Sequence, residues 1–195
     1  MKTINYYFLI LFFVLLVSCE LFRTRTPEEP DETNLNFPPA TTPQTLIDNF
    51  TKSFSQKNIT IYRSCFPTET NFFRFIPSSD ALSFFPSVFQ NWNINSEINF
   101  AKNLFNKFSP QENPVFSLEN KTFSSYTTDS TLFIADYELN VNSKDNSINN
   151  VYKGTLQLVL VIDKSGLWKI IRWYDFNKQI NGFQTISILK AKLSS

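Results

Sequence analysis

The side chains best suited to acid–base chemistry lie in two predicted β-strands. They are Asp136, Tyr137, Glu138, Arg172, Tyr174 and Asp175. A carboxylate held in an apolar pocket can have its pKa raised into the range that is useful for proton transfer. Alternation along the first strand, however, places Asp136 and Glu138 on the face opposite Tyr137, so we predict solvated or paired surface roles for them. Asp175 closes its strand, and we predict that it is a structural cap or turn ligand.

The composition excludes several other classes of site. The 195 residues contain no histidine, which excludes Ser-His-Asp and Cys-His catalysis and removes the commonest zinc ligand. Three glycines are too few for a Gly-rich phosphate loop. The formal net charge of +1 leaves no basic excess to neutralise phosphates. We therefore expect no metal, no other cofactor and no nucleic-acid partner.

The N-terminus has the pattern of a secretory signal. Lys2 precedes the apolar run 8–17, which is too short to cross a bilayer of about 30 Å as a helix. The sequence Leu16-Val17-Ser18-Cys19 resembles the lipobox of bacterial lipoproteins. The resemblance implies that Cys19 becomes the first mature residue and carries a diacylglyceryl thioether and an N-acyl chain. An uncleaved anchor helix with an incidental cysteine is the alternative.

Three regions follow from this pattern. We predict a lipoprotein signal peptide over 1–18, a Pro-rich disordered tether over 19–42, and one folded domain over 43–195. Several acyl chains would anchor the protein stably to a membrane of the bacterial cell envelope. Glu20 follows the cysteine, which favours the outer membrane. Cys65 then has no partner for an intramolecular disulfide, and we predict a buried, inert side chain.

Period-two alternation predicts two long strands joined by a tight turn. In 151–162, Tyr152, Leu156 and Leu160 share one face, and the turn Asp163–Gly166 follows. In the returning strand 167–176, Trp168 and Ile170 are predicted on one face. Strict alternation places Leu167, Ile171 and Trp173 on the other.

Further elements are predicted along the chain. Thr42 and Pro43 begin a helix with Leu46, Ile47, Phe50 and Phe54 on one face, and a short second helix covers 59–66. Segment 71–76 is a short strand or bend, 77–86 is irregular, and Ser96 caps a helix starting at Glu97. Strands cover 115–126 and 131–141, a polar loop covers 143–150, and a closing helix covers 186–193.

The order of these elements resembles the nuclear transport factor 2-like superfamily, also called cystatin-like or ketosteroid-isomerase-like. The matching stretches are Tyr62–Phe75, Trp92 with Glu97 and Asn103-Leu104-Phe105, Gly166–Ile170 with Trp173-Tyr174-Asp175, and Ile188–Ala191. The resemblance implies an α+β domain. It has a curved antiparallel sheet of about four to five strands, with the N-terminal helices packed on its concave face.

Family enzymes work in the cavity between sheet and helices, often with an Asp base and a Tyr donor. The candidates for lining such a cavity here are aromatic: Phe50, Tyr62, Trp92, Tyr137, Tyr152, Trp168 and Trp173. No catalytic motif of the family maps onto this sequence residue by residue. The simpler interpretation of the many aromatics is that they fill the core.

Three functions remain open on these grounds. The favoured one is a membrane-anchored envelope lipoprotein whose domain binds a small apolar ligand or a protein partner without catalysis. The second is an enzyme of isomerase, cyclase or dehydratase type using a buried carboxylate. The third is a structural or assembly role in an envelope complex. The apolar outer sheet face would also permit a homodimer.

Overall fold

The structure, a computed structural model, describes residues 37–141, 148–178 and 182–194. Within these residues the chain forms five helices and five strands. In chain order they are α1 (Pro43–Ser55), α2 (Ile59–Ser64), β1 (Arg74–Ile76), α3 (Ser79–Phe84), α4 (Ile94–Phe105), β2 (Val115–Thr127), β3 (Ser130–Asn140), β4 (Val151–Ile162), β5 (Trp168–Phe176) and α5 (Ile186–Leu193). Among the described residues, no helix combines the length and hydrophobicity needed to cross a membrane.

A polar side chain caps the N-terminus of each of the first two helices. The hydroxyl group of Thr42 accepts from the backbone N–H of Thr45, and Pro43 occupies the first turn of α1. A left-handed Lys57 (φ 48°) separates α1 from α2, and the Asn58 side chain caps α2. These features confirm the predicted break between the two helices.

Two predicted details of the middle segment are wrong. The segment 77–86, predicted to be irregular, contains the short helix α3. Pro77 and Pro86 lie at the two ends of the segment and outside the helix. Helix α4 begins at Ile94 and not at Glu97. Asn93 is its cap, and Ser96 completes a capping box, because its hydroxyl oxygen accepts from the backbone N–H of Asn93.

One mixed sheet holds all five strands in the order β1-β5-β4-β3-β2. The short β1 runs parallel to β5, and the other neighbours are antiparallel. Inward and outward side chains alternate along β3 and β4 as predicted. The turn between β4 and β5 is also confirmed, because Asp163 accepts from the N–H groups of Ser165 and Leu167, and Gly166 adopts φ 77°.

A β-bulge in β5 corrects the prediction for Trp173. Val159 pairs with Arg172 while the next residue, Leu160, pairs with Ile170, so Ile171 is an extra residue. The alternation therefore shifts by one at Ile171. Trp173 is fully buried on the same face as Trp168 and Ile170, and not on the face of Leu167 and Ile171.

The core lies between the sheet and the helices. Phe50 of α1 is fully buried, and its ring lies 5.7 Å from that of Phe116 on β2 and 5.4 Å from that of Trp173 on β5. Strands three positions apart in a flat sheet would be about 14 Å from each other. One ring contacts both because the sheet curves around α1. The predicted α+β class, with helices on the concave face of a curved sheet, is confirmed.

Candidate functional site

A carboxylate and an ammonium group are paired in the interior. Glu97 of α4 and Lys190 of α5 are both fully buried. The Lys190 Nζ lies 2.7 Å from each of the two Glu97 carboxylate oxygens. Taking two charges out of water is costly, and the pair persists only where good geometry and further hydrogen bonds satisfy both groups.

Two further donors complete the coordination of Glu97. The hydroxyl group of Tyr62 donates to Oε1 at 2.5 Å, and the indole Nε1 of Trp92 donates to Oε2 at 2.8 Å. Each carboxylate oxygen therefore accepts two hydrogen bonds. Burial, and then the adjacent Glu97 charge, raise the pKa of Tyr62 well above its ordinary value, so the phenol stays a donor.

Aromatic rings surround the ammonium group of Lys190. Its Nζ lies 3.5 Å from the ring centroid of Phe75 and 3.6 Å from that of Trp173. A cation over a ring face is attracted by the ring quadrupole, and more strongly where water is absent. Burial nevertheless lowers the pKa of Lys190 to about 8, while Glu97 acts in the opposite direction. We call Tyr62, Phe75, Trp92, Glu97 and Trp173 the ammonium box.

A second buried carboxylate, Asp175 of β5, holds the start of α5. Its Oδ2 accepts from the backbone N–H of Ser187 at 2.9 Å and from the Ser187 hydroxyl group. Its Oδ1 accepts from the Tyr137 hydroxyl group at 2.8 Å. The Tyr137 hydroxyl oxygen in turn accepts from the backbone N–H of Ile186. Side chains from the sheet thus cap the helix, which confirms the predicted cap role of Asp175.

Burial governs the protonation of this second cluster. Burial raises the pKa of Asp175, although the hydrogen bonds from Ser187 and Tyr137 act to lower it. Burial, and then the Asp175 charge, raise the pKa of Tyr137 well above its usual range. The arrangement combines a carboxyl group and a phenol, which is the pair of groups an isomerase would use, but each already has a partner.

The two candidate carboxylates of β3, Asp136 and Glu138, face outward, as predicted. Asp136 accepts from Asn120 and Thr155 and pairs with Lys178 at 2.5 Å, and Glu138 pairs with Lys153 at 2.7 Å. The hydrogen bond from Lys178 is the main cause that lowers the pKa of Asp136. Both carboxylates line a polar groove of about 310 Å³ on the outer face of the sheet.

The seven predicted cavity-lining side chains are all buried. Three of them, Tyr62, Trp92 and Trp173, belong to the ammonium box, and Phe50 packs against Tyr62 and Trp173. Tyr137 belongs to the Asp175 cluster, whereas Tyr152 and Trp168 are buried elsewhere in the core. Whether any of them contacts a ligand stays a prediction.

The partner of Glu97 was not predicted from the sequence. Lys190 is 93 residues away in the chain. The available signal was the character of α5, whose other residues are mostly apolar: Ile186, Ile188, Leu189, Ala191 and Leu193. A lysine that lies among the apolar, buried positions of a helix needs an anionic partner.

Cys65 belongs to neither of these two clusters. Cys65 is buried, as predicted, and burial raises the pKa of its thiol to about 12. Cys19, the predicted lipid attachment residue, lies outside the described residues, as do 1–36 as a whole and most of the predicted 143–150 loop. The described residues hold no group of three or more potential His, Cys, Asp or Glu metal ligands.

No protein-family model matches the sequence, and no curated protein matches it. Solved structures do match the fold. A nuclear transport factor 2-like superfamily protein from Salmonella enterica aligns with a TM-score of 0.52 and 13% identity, covering 70% of this chain and 90% of that chain.

Two other similar structures have names taken from enzymes. A protein from Novosphingobium aromaticivorans assigned as a scytalone dehydratase aligns with a TM-score of 0.52 and 7% identity, covering 73% of this chain and 89% of its own. The beta subunit of benzoate 1,2-dioxygenase from Burkholderia mallei aligns with a TM-score of 0.50 and 13% identity, covering 68% of this chain and 86% of that subunit. At these identities the likeness concerns the fold alone, and the domain of this chain therefore has the nuclear transport factor 2-like fold.

Proposed function

We propose that the protein is a lipid-anchored component of the bacterial cell envelope, whose domain binds a partner without catalysing a reaction. The observation that carries the non-catalytic part is that the two interior carboxylates are hydrogen-bonded within the protein. Every oxygen of Glu97 and Asp175 accepts at least one hydrogen bond from the protein itself. A general base must reach a proton of its substrate, and these groups are already engaged and buried.

The lipid anchor rests on the lipobox at Cys19. The test is expression of the full-length chain in a bacterial host, followed by mass spectrometry of the membrane fraction. We expect the mass of a diacylglyceryl and an N-acyl group on a chain that starts at Cys19. The Cys19→Ala variant should lose both, with Cys65→Ala as the matched control. An unmodified thiol at residue 19 of the membrane-bound chain would contradict the anchor.

A protein partner is favoured over a small apolar ligand by the surface. Large aromatic side chains stand in solvent on either side of β1 along the chain: Phe72 is 61% exposed, and Phe84 at the end of α3 is 74% exposed. Exposed aromatic side chains are enriched where proteins bind one another. The interior, by contrast, is occupied by the protein's own rings, including those around Phe50.

Site-specific photocrosslinking in the native envelope tests this proposal. A photoreactive residue at position 84 should give a discrete crosslinked band. The same residue at Gln56, an exposed polar position at the end of α1, serves as the control. Identical patterns at both positions would argue against a partner at this surface. An assembly role in an envelope complex would appear as a stoichiometric band.

A second candidate is an enzyme of isomerase type. The specific observation in its favour is the contact between Tyr137 and Asp175, together with the raised pKa of Asp175. Such an enzyme would exchange the α-protons of a cyclic ketone with solvent deuterium, which NMR detects. The exchange should disappear in Asp175→Asn and persist in the surface control Asp136→Asn. Equal exchange in both variants and in buffer would remove this candidate.

A homodimer through the outer sheet face stays a prediction. Leu132, Ile134, Val159 and Ile171 are only half-buried there. Sedimentation of the domain at several concentrations would report the oligomeric state.

A further inference from the structure

We propose that the ammonium box is a binding site for a primary ammonium group on an unbranched alkyl chain, and that Lys190 occupies it as a tethered ligand. The inference goes beyond the proposed function and depends neither on the lipid anchor nor on a partner. It concerns the interior of the domain, where a carboxylate held by two donors and two ring faces meet one cation.

The box is built without any contribution from α5. Glu97 lies on α4, Tyr62 on α2, Phe75 on β1 and Trp173 on β5, and Trp92 precedes α4. Tyr62 and Trp92 each donate to a different oxygen of Glu97, so the carboxylate is oriented before Lys190 is considered. A site whose parts are held in place by the body of the domain binds its cation at a lower entropic cost.

The geometry of the box fits a primary ammonium group. Two of the three donors of Lys190 reach Oε1 and Oε2 at 2.7 Å each, and the ring faces of Phe75 and Trp173 lie within 3.6 Å of the same nitrogen. A quaternary ammonium has no N–H for the carboxylate. A neutral alcohol lacks the charge that both the carboxylate and the rings attract.

Helix α5 is held at both ends by contacts that do not involve the Lys190 side chain. Tyr137 and Asp175 hold the N–H groups of Ile186 and Ser187. The Asn103 side chain donates to the carbonyl group of Leu193 at 2.7 Å. We therefore expect truncation of Lys190 to empty the box while α5 stays docked.

The test is chemical rescue of the Lys190→Ala variant. This variant removes three methylenes and the ammonium group, which n-propylammonium replaces atom for atom. We expect a saturable rise in the thermal midpoint of Lys190→Ala with n-propylammonium, and no such rise with 1-propanol or with KCl at equal ionic strength. Lys190→Met fills the same space without charge and should not respond. The wild type should not respond either, because its tether gives Lys190 a high effective concentration.

The contribution of the carboxylate is tested in the same assay. In Glu97→Gln/Lys190→Ala the half-saturating concentration of n-propylammonium should rise about tenfold or more, because the bound ammonium ion no longer has an anionic partner. If Lys190→Ala does not fold alone, its refolding yield should increase in n-propylammonium but not in KCl. A missing saturable response, an equal response to 1-propanol, or full rescue in the Glu97→Gln background would each overturn the proposal.

Discussion

The hydroxyl group of Tyr137 on β3 lies 2.8 Å from Oδ1 of Asp175 on β5, and it reaches that oxygen across the intervening strand β4. Gly154 of β4 pairs with Tyr137 in the sheet register. A Cβ atom at Gly154 would lie 2.7 Å from the Tyr137 hydroxyl oxygen and 2.7 Å from the carbonyl oxygen of Phe176. The cap on α5 therefore requires a residue without a side chain at position 154 of β4, because any Cβ atom there would collide with Tyr137.

Gly154→Ala should consequently destabilise the domain. The new methyl group overlaps backbone on one side and the Tyr137 ring on the other, and overpacking of this kind costs about 1–3 kcal/mol. Urea denaturation of the two proteins measures the loss. Lys153→Ala, the neighbouring outward-facing position, is the control and should change the free energy of unfolding by less than about 1 kcal/mol. Equal losses in both variants would contradict the packing argument.

Asp175→Asn should destabilise the domain although it preserves shape. The site supplies donors from Tyr137 and from the N–H and hydroxyl groups of Ser187, and an amide nitrogen would face one of them as a second donor. Hydrogen bonds to a charged acceptor contribute about 1.5–3 kcal/mol each, so we expect a loss of this size. Chemical denaturation measures it. Asp136→Asn on the outer face should cost clearly less, and the opposite order would refute the cap role.

The pair Glu97–Lys190 should behave non-additively. Lys190→Met alone leaves a buried carboxylate without its cation, which costs about 3–5 kcal/mol. Glu97→Gln/Lys190→Met removes both charges and should cost less than the two single variants together. A double-mutant cycle of unfolding free energies measures the coupling. Strict additivity would mean that the two groups do not interact in the folded protein.

The stability of the domain should depend on pH through Lys190. Burial lowers the pKa of Lys190 in the folded state to about 8 from an ordinary value of 10.5. Between about pH 8 and pH 10.5 the lysine at position 190 is protonated in more of the unfolded chains than of the folded ones. The contribution of this group to the free energy of unfolding therefore rises with pH. The contribution is fully present above about pH 10.5 and is lost as the pH falls through about 8.

Comparison with Lys190→Met isolates this dependence. The difference in unfolding free energy between the wild type and the variant should grow in favour of the wild type from pH 8 toward pH 10. Above pH 10 the raised pKa values of Tyr62 and Tyr137 lower the stability of both proteins, because the phenols ionise first in the unfolded chain. A difference that stays flat between pH 8 and 10 would show that the pKa of Lys190 is not lowered.

Local patterns were sufficient to predict the long strands and the main helices. Alternation in β3 and β4 depends only on neighbours two residues apart, and the cap at Thr42 depends on residues within one turn. The capping box at Asn93 also lies within four residues, but Asn93 and Ser96 are both good caps, and propensity does not decide between them. Such ambiguities shift an element boundary without changing the fold.

The interior polar pairs could not be predicted in the same way. Glu97 meets Lys190, and Tyr137 meets Asp175, only because the sheet curves and α5 packs back onto it. Sequence spacing carries no information on contacts of this kind. The prediction for Trp173 failed for a related reason, since a bulge depends on the pairing of two strands and leaves no mark on either one alone.

The bulge at Ile171 decides which side of the sheet the end of β5 presents to the helices. With the insertion, Trp168 near the start of the strand and Asp175 near its end both point inward, although they are seven positions apart and would otherwise face opposite sides. Shortening the strand by this one residue would alter no chemical group in either cluster. It would leave Trp168 and Asp175 six positions apart in a regular strand, so alternation would still point both inward and Asp175 would keep its contacts with α5. Loss of the bulge with all residues retained would instead turn Trp173 and Asp175 to solvent and release α5 from the sheet.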